Sequence, residues 1–504
     1  MAWQPMEKGE DNFDVVIVGA GISGINFGYR LQERCPNLSY TILEGRHELG
    51  GTWSLFKYPG IRSDSDLFTF GFSWRPWSEK TSIAQGDLIK QYLKDSAAQE
   101  GIDKHITFNT KVNSTNYNST EKTWTLQTTQ NGSEKRSFKC RFMLMCTGYY
   151  DYETPLAASI PGLDNFQGEV IHPQFWPEAL DYSGKEVVII GSGATAITVL
   201  PVMAETAKKV TMLQRSPSYI MAVPQEDAFE KVVRKVFWWF PAAQHAIIRI
   251  KWIMMPLLLT SYSAKYPKKM QQLMYKLTQK QLPGSIPRDP HFTPKYYPWE
   301  QRMCMCPDGD FYKALHKGVA TIETGVIKEV TTNAIKLESG TELNPDIIVT
   351  ATGLKLQFAG GMNVSIDNKP YDCSEKFVWK GVMLEDMPNA AFVVGYVDAS
   401  WTLGADATAQ TITRMINQMK REAVVEVTPH RSAEEVKNMQ EKSLLRLNST
   451  YVTKGKSVLP KGGDRGQWMP RASYIRDIMT AWYGDIKTGT TWVRGVSESR
   501  FVEY

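Results

Sequence analysis

The chain has 504 residues, of which 42% are hydrophobic, 22% charged and 11% aromatic. At about 100–200 residues each this makes roughly two to four domains, and the balance excludes a disordered or fibrous protein. The formal net charge is +5, from 58 Lys and Arg against 53 Asp and Glu, too mild for a dedicated nucleic-acid binder.

The stretch up to Asp14 is polar and acidic, without the cationic flank and apolar centre of a signal peptide, so a cytoplasmic protein is expected. Residues 14–18 (DVVIV) read as a buried parallel strand. Gly19-Ala20-Gly21-Ile22-Ser23-Gly24 follows at once and runs into a helical pattern. A second strand, SYTILE, ends in Glu44, about 20 residues beyond Gly24. This is the full dinucleotide fingerprint. Gly19 turns the chain, Gly21 admits a pyrophosphate against the backbone, Gly24 lets helix pack on strand, and Glu44 takes the ribose hydroxyls of an adenosine. Gly50-Gly51-Thr52-Trp53 comes next, at a spacing associated with FAD enzymes, which assigns the first site to FAD.

Further along, RFMLMCTG (141–148) is an apolar strand ending in a Thr-Gly turn, a form repeated by DIIVTATG (346–353). The pair reads as two chain crossings between nucleotide domains, one inserted in the other. Between them, KEVVIIGSGATAITVLP (185–201) repeats the glycine pattern 172 residues after the first, with Gly191, Gly193 and Ala196 in the glycine positions. Its second strand, KKVTMLQRS, carries Arg215 where an acid would stand. An acid repels a 2′-phosphate and an Arg attracts it, so this site is expected to prefer NADPH.

Residues 229–280 hold ten basic residues and one acid, Glu230, around the run VFWWFPAAQHAIIRIKWIMMPLLL. Pro241, Arg249 and Lys251 interrupt the run short of a membrane span. One reading is a helical subdomain with a solvated basic face. The alternative is peripheral membrane contact through 229–280, on an anionic surface.

The six cysteines are scattered, with no CxxC, which argues against a disulfide framework or a zinc site. None lies between Cys35 and Cys140, where the redox pair of a disulfide reductase would stand. FAD and NADPH in one chain mean hydride transfer to flavin. The remaining enzymes are an oxygenase, or an oxidase or reductase with an external acceptor.

The segment Phe166-Gln-Gly168-Glu-Val-Ile-His172-Pro-Gln-Phe-Trp176-Pro177 resembles the FxGxxxHxxxWP fingerprint of the Baeyer–Villiger monooxygenases. Segments 50–66, 172–196, 212–219, 297–312 and 397–407 are similar to the ethionamide-activating subgroup of that family, and the resemblance runs from residue 12 to about 420. It implies an α/β fold of two dinucleotide-binding (Rossmann-like) domains. The NADPH domain (151–216 and 297–384) is expected to be inserted in the FAD domain (1–150 and 385–504), with a helical subdomain (217–296) inserted in turn. The implied activity is NADPH- and O2-dependent conversion of ketones to esters or lactones through a flavin C4a-peroxide, with sulfoxidation on the side.

By the same resemblance the catalytic residues are Arg302, a fixed cation for the peroxide and its adduct, and Asp64, its carboxylate partner. Asp66 is two residues on, and in an extended segment both would face the same way. The FAD set is Gly19, Gly21, Ser23, Gly24, Glu44, Gly51, Thr52, Trp53, Asp64 and Val112. The NADP set is Arg62, Gly191, Ser192, Gly193, Ala194, Thr195, Ala196, Arg215 and Ser216. The family often has Lys before the catalytic Arg; Gln301 stands here, which throws the phosphate onto Arg215 and Ser216. His172 is read as a structural residue linking the domains, not a base, and Trp401 as either a flavin-pocket or a core residue. The competing functions are a monooxygenase confined to N- or S-oxidation, an uncoupled NADPH oxidase, and an inactive FAD-binding redox or membrane module.

Overall fold

The computed structural model describes residue 6 and residues 9–301, 303–445, 450–471 and 473–495. In β1 (Asn12–Val18), Val15, Val16 and Ile17 are fully buried, as a strand covered on both faces requires. The glycine turn leads into α1 (Ile22–Arg34), whose Ile25, Phe27 and Leu31 pack inward. The chain then forms β2 (Tyr40–Leu43), parallel to β1 with Val18 against Leu43. Helices α2 (Thr52–Leu55), α3 (Leu67–Phe70) and α4 (Gly86–Gln99) follow. After β3 (Ile106–Thr107), an antiparallel run of β4 (Thr110–Asn118), β5 (Thr123–Gln130) and β6 (Glu134–Met145) brings the chain back. β6 lies parallel to β1 on the side away from β2, Met145 opposite Val18. Strand order therefore reverses at β1, and ligands bind beyond the carboxyl ends of strands at such a point.

The second sheet is built the same way. β7 (Glu169–Ile171), β8 (Glu186–Ile190), α5 (Ala194–Met203) and β9 (Lys209–Gln214) come first. A helical insert is entered through β10 (Ile220–Val223) and comprises α6 (Ala228–Val236), α7 (Pro241–Lys265) and α8 (Pro267–Gln281). It is left through β11 (Cys304–Pro307), which pairs parallel with β10. After α9 (Asp310–His316) come β12 (Ala320–Thr324), an antiparallel trio of β13 (Ile327–Val330), β14 (Ile335–Leu337) and β15 (Glu342–Leu343), and β16 (Ile347–Thr350). The five-stranded sheet is ordered β12-β9-β8-β16-β7, all parallel, and reverses at β8.

The return to the first sheet falls earlier than residue 385. β17 (Asn363–Ile366) already pairs with β4, followed by its hairpin partner β18 (Lys369–Pro370). The expected boundary missed these strands because they are short and polar on their exposed face. Residues 390–392 then pair with β6. α10 (Trp401–Arg421) packs across α1, where the buried Arg30 guanidinium grips the buried Asp406 carboxylate at 2.7 and 3.0 Å.

Pro241, Arg249 and Lys251 interrupt the apolar run in sequence, short of a span as expected, without breaking the helix that carries it, α7. Pro241 stands in the first turn, where a missing N–H is harmless, and the helix runs on for 25 residues. Arg249 is buried, donating to the carbonyls of Phe68 at 2.7 Å and Gly71 at 3.1 Å, which closes the carboxyl end of α3. Lys251 pairs with Asp227 and lies 4.5 Å from the Trp252 ring centroid. Neither belongs to a solvated face. Among the described residues no helix is long and apolar enough to cross a membrane.

Candidate active site

At the carboxyl end of β1 opens a cavity of about 720 Å³, lined on one side by Gly19, Gly21, Ser23 and Glu44 and on another by Gly51, Thr52, Trp53 and Val112. Gly19 has φ +103°, and a Cβ on Gly24 would fall 1.9 Å from the Gly19 carbonyl oxygen, so neither position accepts a side chain. α1 begins at Gly21 with no side-chain cap and no acid in its first turn. Its free N–H groups and positive dipole end thus face the cavity, the donor set a pyrophosphate needs.

Glu44 is buried at the far edge, accepting from the backbone N–H of Ala20 at 2.7 Å and of Arg46 at 3.0 Å. Burial raises its pKa against these two bonds. Trp401 faces the same cavity: its Nε1 donates to Ser23 Oγ at 2.9 Å, and its ring stacks on Tyr149 at 5.0 Å between centroids. Tyr149, Tyr152 and Gln357 also line the space, and sequence reasoning did not single them out. The first two follow the Thr147-Gly148 crossing, so the turn itself was the available signal.

The second motif repeats the first more openly. Gly191 has φ +138°, and a Cβ there would meet the Ala351 carbonyl oxygen at 2.2 Å. Nothing lies within 4 Å of a Cβ on Gly193, the uncapped start of α5. Ser192 Oγ donates to the Ser216 carbonyl at 2.8 Å, which sets the exposed Arg215 and Ser216 beside the glycine turn. Ala196 is fully buried in the third glycine position. Arg62 is already engaged, pairing with Asp310 in the first turn of α9. Tyr58 joins the two motifs: it hydrogen-bonds Thr195, and burial followed by the charge of Asp64 raises its pKa.

A second cavity, of about 440 Å³, lies between α7, the β10–β11 pair and the 396–403 segment, with Trp252, Ile253, Leu257, Met303 and Met305 in its walls. Asp64, Ser65, Tyr396 and Ala399 line both cavities, so Asp64 stands where they meet. Asp66 has another task. It caps α3, accepting from Thr69 N–H at 2.8 Å and Thr69 Oγ1 at 2.7 Å, and burial pushes its pKa up to about 6. Arg302 lies outside the described residues; its chain neighbours Gln301 and Met303 line the apolar cavity.

The fingerprint segment sits in the second sheet's packing, not in either cavity. Phe166 and Trp176 are buried in separate core clusters, and a Cβ on Gly168 would strike both the Asp346 carbonyl and the Phe166 ring. His172 Nδ1 accepts from the Gln174 N–H at 3.2 Å. Burial lowers its pKa, against a hydrogen bond with the Gly353 backbone. Pro177 ends the segment, its carbonyl accepting from Leu180. Five cysteines are buried and Cys373 half-buried, and burial raises the thiol pKa at Cys35 to about 11 and at Cys306 to about 12, so neither is a poised thiolate.

Fold and site together define a protein of two dinucleotide-binding folds with an apolar cavity against the first. Residues 13–255 match the model of the flavin-binding monooxygenase-like family. The chain is 42% identical to the FAD-containing monooxygenase EthA of Mycobacterium tuberculosis over 470 residues, covering 93% of this chain and 95% of that protein. It is 43% identical over 469 residues to the probable FAD-binding monooxygenase AlmA of an Acinetobacter species, covering 93% of each. Among solved structures, cyclohexanone monooxygenase from Rhodococcus sp. Phi1 bound to NADP+ superposes with a TM-score of 0.72 at 19% identity, over 97% of this chain and all of that one. A steroid monooxygenase bound to NADP gives 0.72 at 19%, over 96% of this chain. The structural likeness speaks for the fold. By sequence the chain belongs to the flavin-binding monooxygenase-like family.

Proposed function

We propose that the protein is an NADPH- and O2-dependent Baeyer–Villiger monooxygenase that converts apolar ketones to esters or lactones, with sulfides as secondary substrates. The observation that carries this is the meeting of the two cavities at Asp64. FAD and NADPH, when bound, supply hydride transfer and the activation of oxygen. The chain supplies the rest. Gly21 and the α1 amino end hold the pyrophosphate, Glu44 the ribose, and Arg215 with Ser216 the 2′-phosphate. The Trp252, Ile253 and Leu257 wall of α7 keeps water from the carbonyl and accepts an apolar substrate of a size usual for such pockets. Arg302, charged at every working pH, is assigned to hold the negative charge that develops on the substrate oxygen, and Asp64 to orient it.

The test is NADPH consumption with and without a simple ketone, with mass analysis of the product. Expected is ketone-dependent consumption matched by an ester one oxygen heavier, lost in Arg302→Ala while flavin is still reduced. NADPH use that yields only hydrogen peroxide would make the protein an oxidase. Oxidation of amines and sulfides without any ester would place it among the N- and S-oxidising monooxygenases.

A further inference from the structure

Helix α6 carries Phe229, Val232 and Val236 at helical spacing, and all three are exposed. The corner that follows adds Trp238, 74% exposed, Trp239, 64% exposed, and Phe240. Single exposed apolar side chains are ordinary, but a clustered run of this size marks a surface that has an occupant.

The ion pairs sort the charge of this region. Lys231 pairs with Glu226, Arg234 with Glu230 and Lys251 with Asp227, and Arg249 is buried. Lys235, Lys265, Lys268, Lys269, Lys276 and Lys280 are exposed, and among the described residues no carboxylate lies within ion-pair distance of them. α7 joins this surface to the interior. Its Trp252, Ile253 and Leu257 wall the apolar cavity, while Ile250 and Leu258 of the same helix are exposed.

We infer that α6, the 237–240 corner and the outward side of α7 form a docking surface for an anionic lipid bilayer, on which the protein lies without spanning it. Exposed Trp238 and Trp239 suit the headgroup boundary, where an amphipathic ring keeps its N–H edge wet, and Phe240 adds apolar area beside them. Lys235, the unpaired lysine of α6, is drawn to anionic lipid over a Debye length of roughly 10 Å. A second copy of the chain is the poorer occupant, because a symmetric contact through α6 brings Lys235 towards its own counterpart. An acidic protein would satisfy the lysines but gives the unbroken aromatic corner no specific match. The surface stands apart from the reaction assigned above and is tested without it.

The experiment is flotation of the full-length holoprotein with vesicles of phosphatidylcholine alone and of phosphatidylcholine mixed with phosphatidylglycerol, at low and high salt. Expected is co-flotation with the mixed vesicles at low salt, weakened by high salt. Trp238→Ser combined with Trp239→Ser, and separately Lys235→Glu, each lower vesicle affinity by roughly tenfold or more, with bound FAD and the thermal midpoint unchanged. No binding to the mixed vesicles at low salt, or unaltered affinity in the Trp variant, overturns the inference. A dimer seen by light scattering and lost in the Trp variant, without vesicle binding, gives the patch to a second copy and overturns it equally.

Discussion

Asp64 and Asp66 both line the apolar cavity, but only Asp64 also lines the cavity at β1. Asp66 spends both carboxylate oxygens on Thr69, and its burial costs the charged form enough to raise the pKa to about 6 from an ordinary 3.8. Between these values the folded chain keeps a proton that the unfolded chain has released, so this group lowers stability as pH rises through the window. Asp66→Asn and Asp66→Ala both remove that slope, but only Asn keeps the cap, so Asp66→Ala is expected to be about 1 kcal/mol less stable than Asp66→Asn at every pH. Urea unfolding at several pH values between 4 and 7 separates the two. At the other nucleotide site, Arg215 is exposed beside the glycine turn, free to take a phosphate. Arg215→Ala is expected to lower kcat/KM for NADPH by roughly tenfold to a hundredfold, the worth of charge-assisted hydrogen bonds, and to leave NADH nearly unaffected. At this scale the two glycine turns were legible because local spacing sets their backbone, and the same spacing put Glu44 and Arg215 beside them. That Asp66 caps α3 was not, because the cap depends on where the backbone brings the Thr69 N–H and hydroxyl.

Among elements, the contact of α1 with α10 ties the start of the chain to its last third. Arg30 and Asp406 are both buried, and Ser73 and Gln410 also donate to the carboxylate. Burial alone would raise the Asp406 pKa; Arg30 outweighs it and holds the carboxyl below its ordinary range. The stability it lends is therefore present above the unfolded carboxyl pKa, near 3.8, and is lost as pH falls through the lower folded value. Asp406→Ala leaves a buried guanidinium unpaired and is expected to cost about 3 kcal/mol in denaturant titration at neutral pH. The strands and first helices of both sheets could be read from apolar runs and glycine spacing. α7 could not, since its two prolines, the buried Arg249 and the half-buried Lys251 look like breaks until α3 and Asp227 supply the partners of the two cations. Tyr149 stacked on Trp401 is equally silent in sequence, for nothing local couples residues so far apart.

In the whole molecule the plan of one nucleotide fold set inside another was foreshadowed by the two Thr-Gly turns, at the ends of β6 and β16. The early return through β17 escaped because a four-residue strand with polar exposed positions carries little periodic signal. The insert between β10 and β11 has a consequence of its own. Its entry and exit strands lie side by side, Ile220 against Cys304 and Val223 against Pro307, so about eighty residues leave the second fold and rejoin it at one doorway. Such a segment is a cassette. The same helices wall the apolar cavity inside and present the aromatic corner outside. Grafting residues 224–303 onto a relative is expected to carry the α7 wall of the apolar cavity and the aromatic corner together, as one inherited unit.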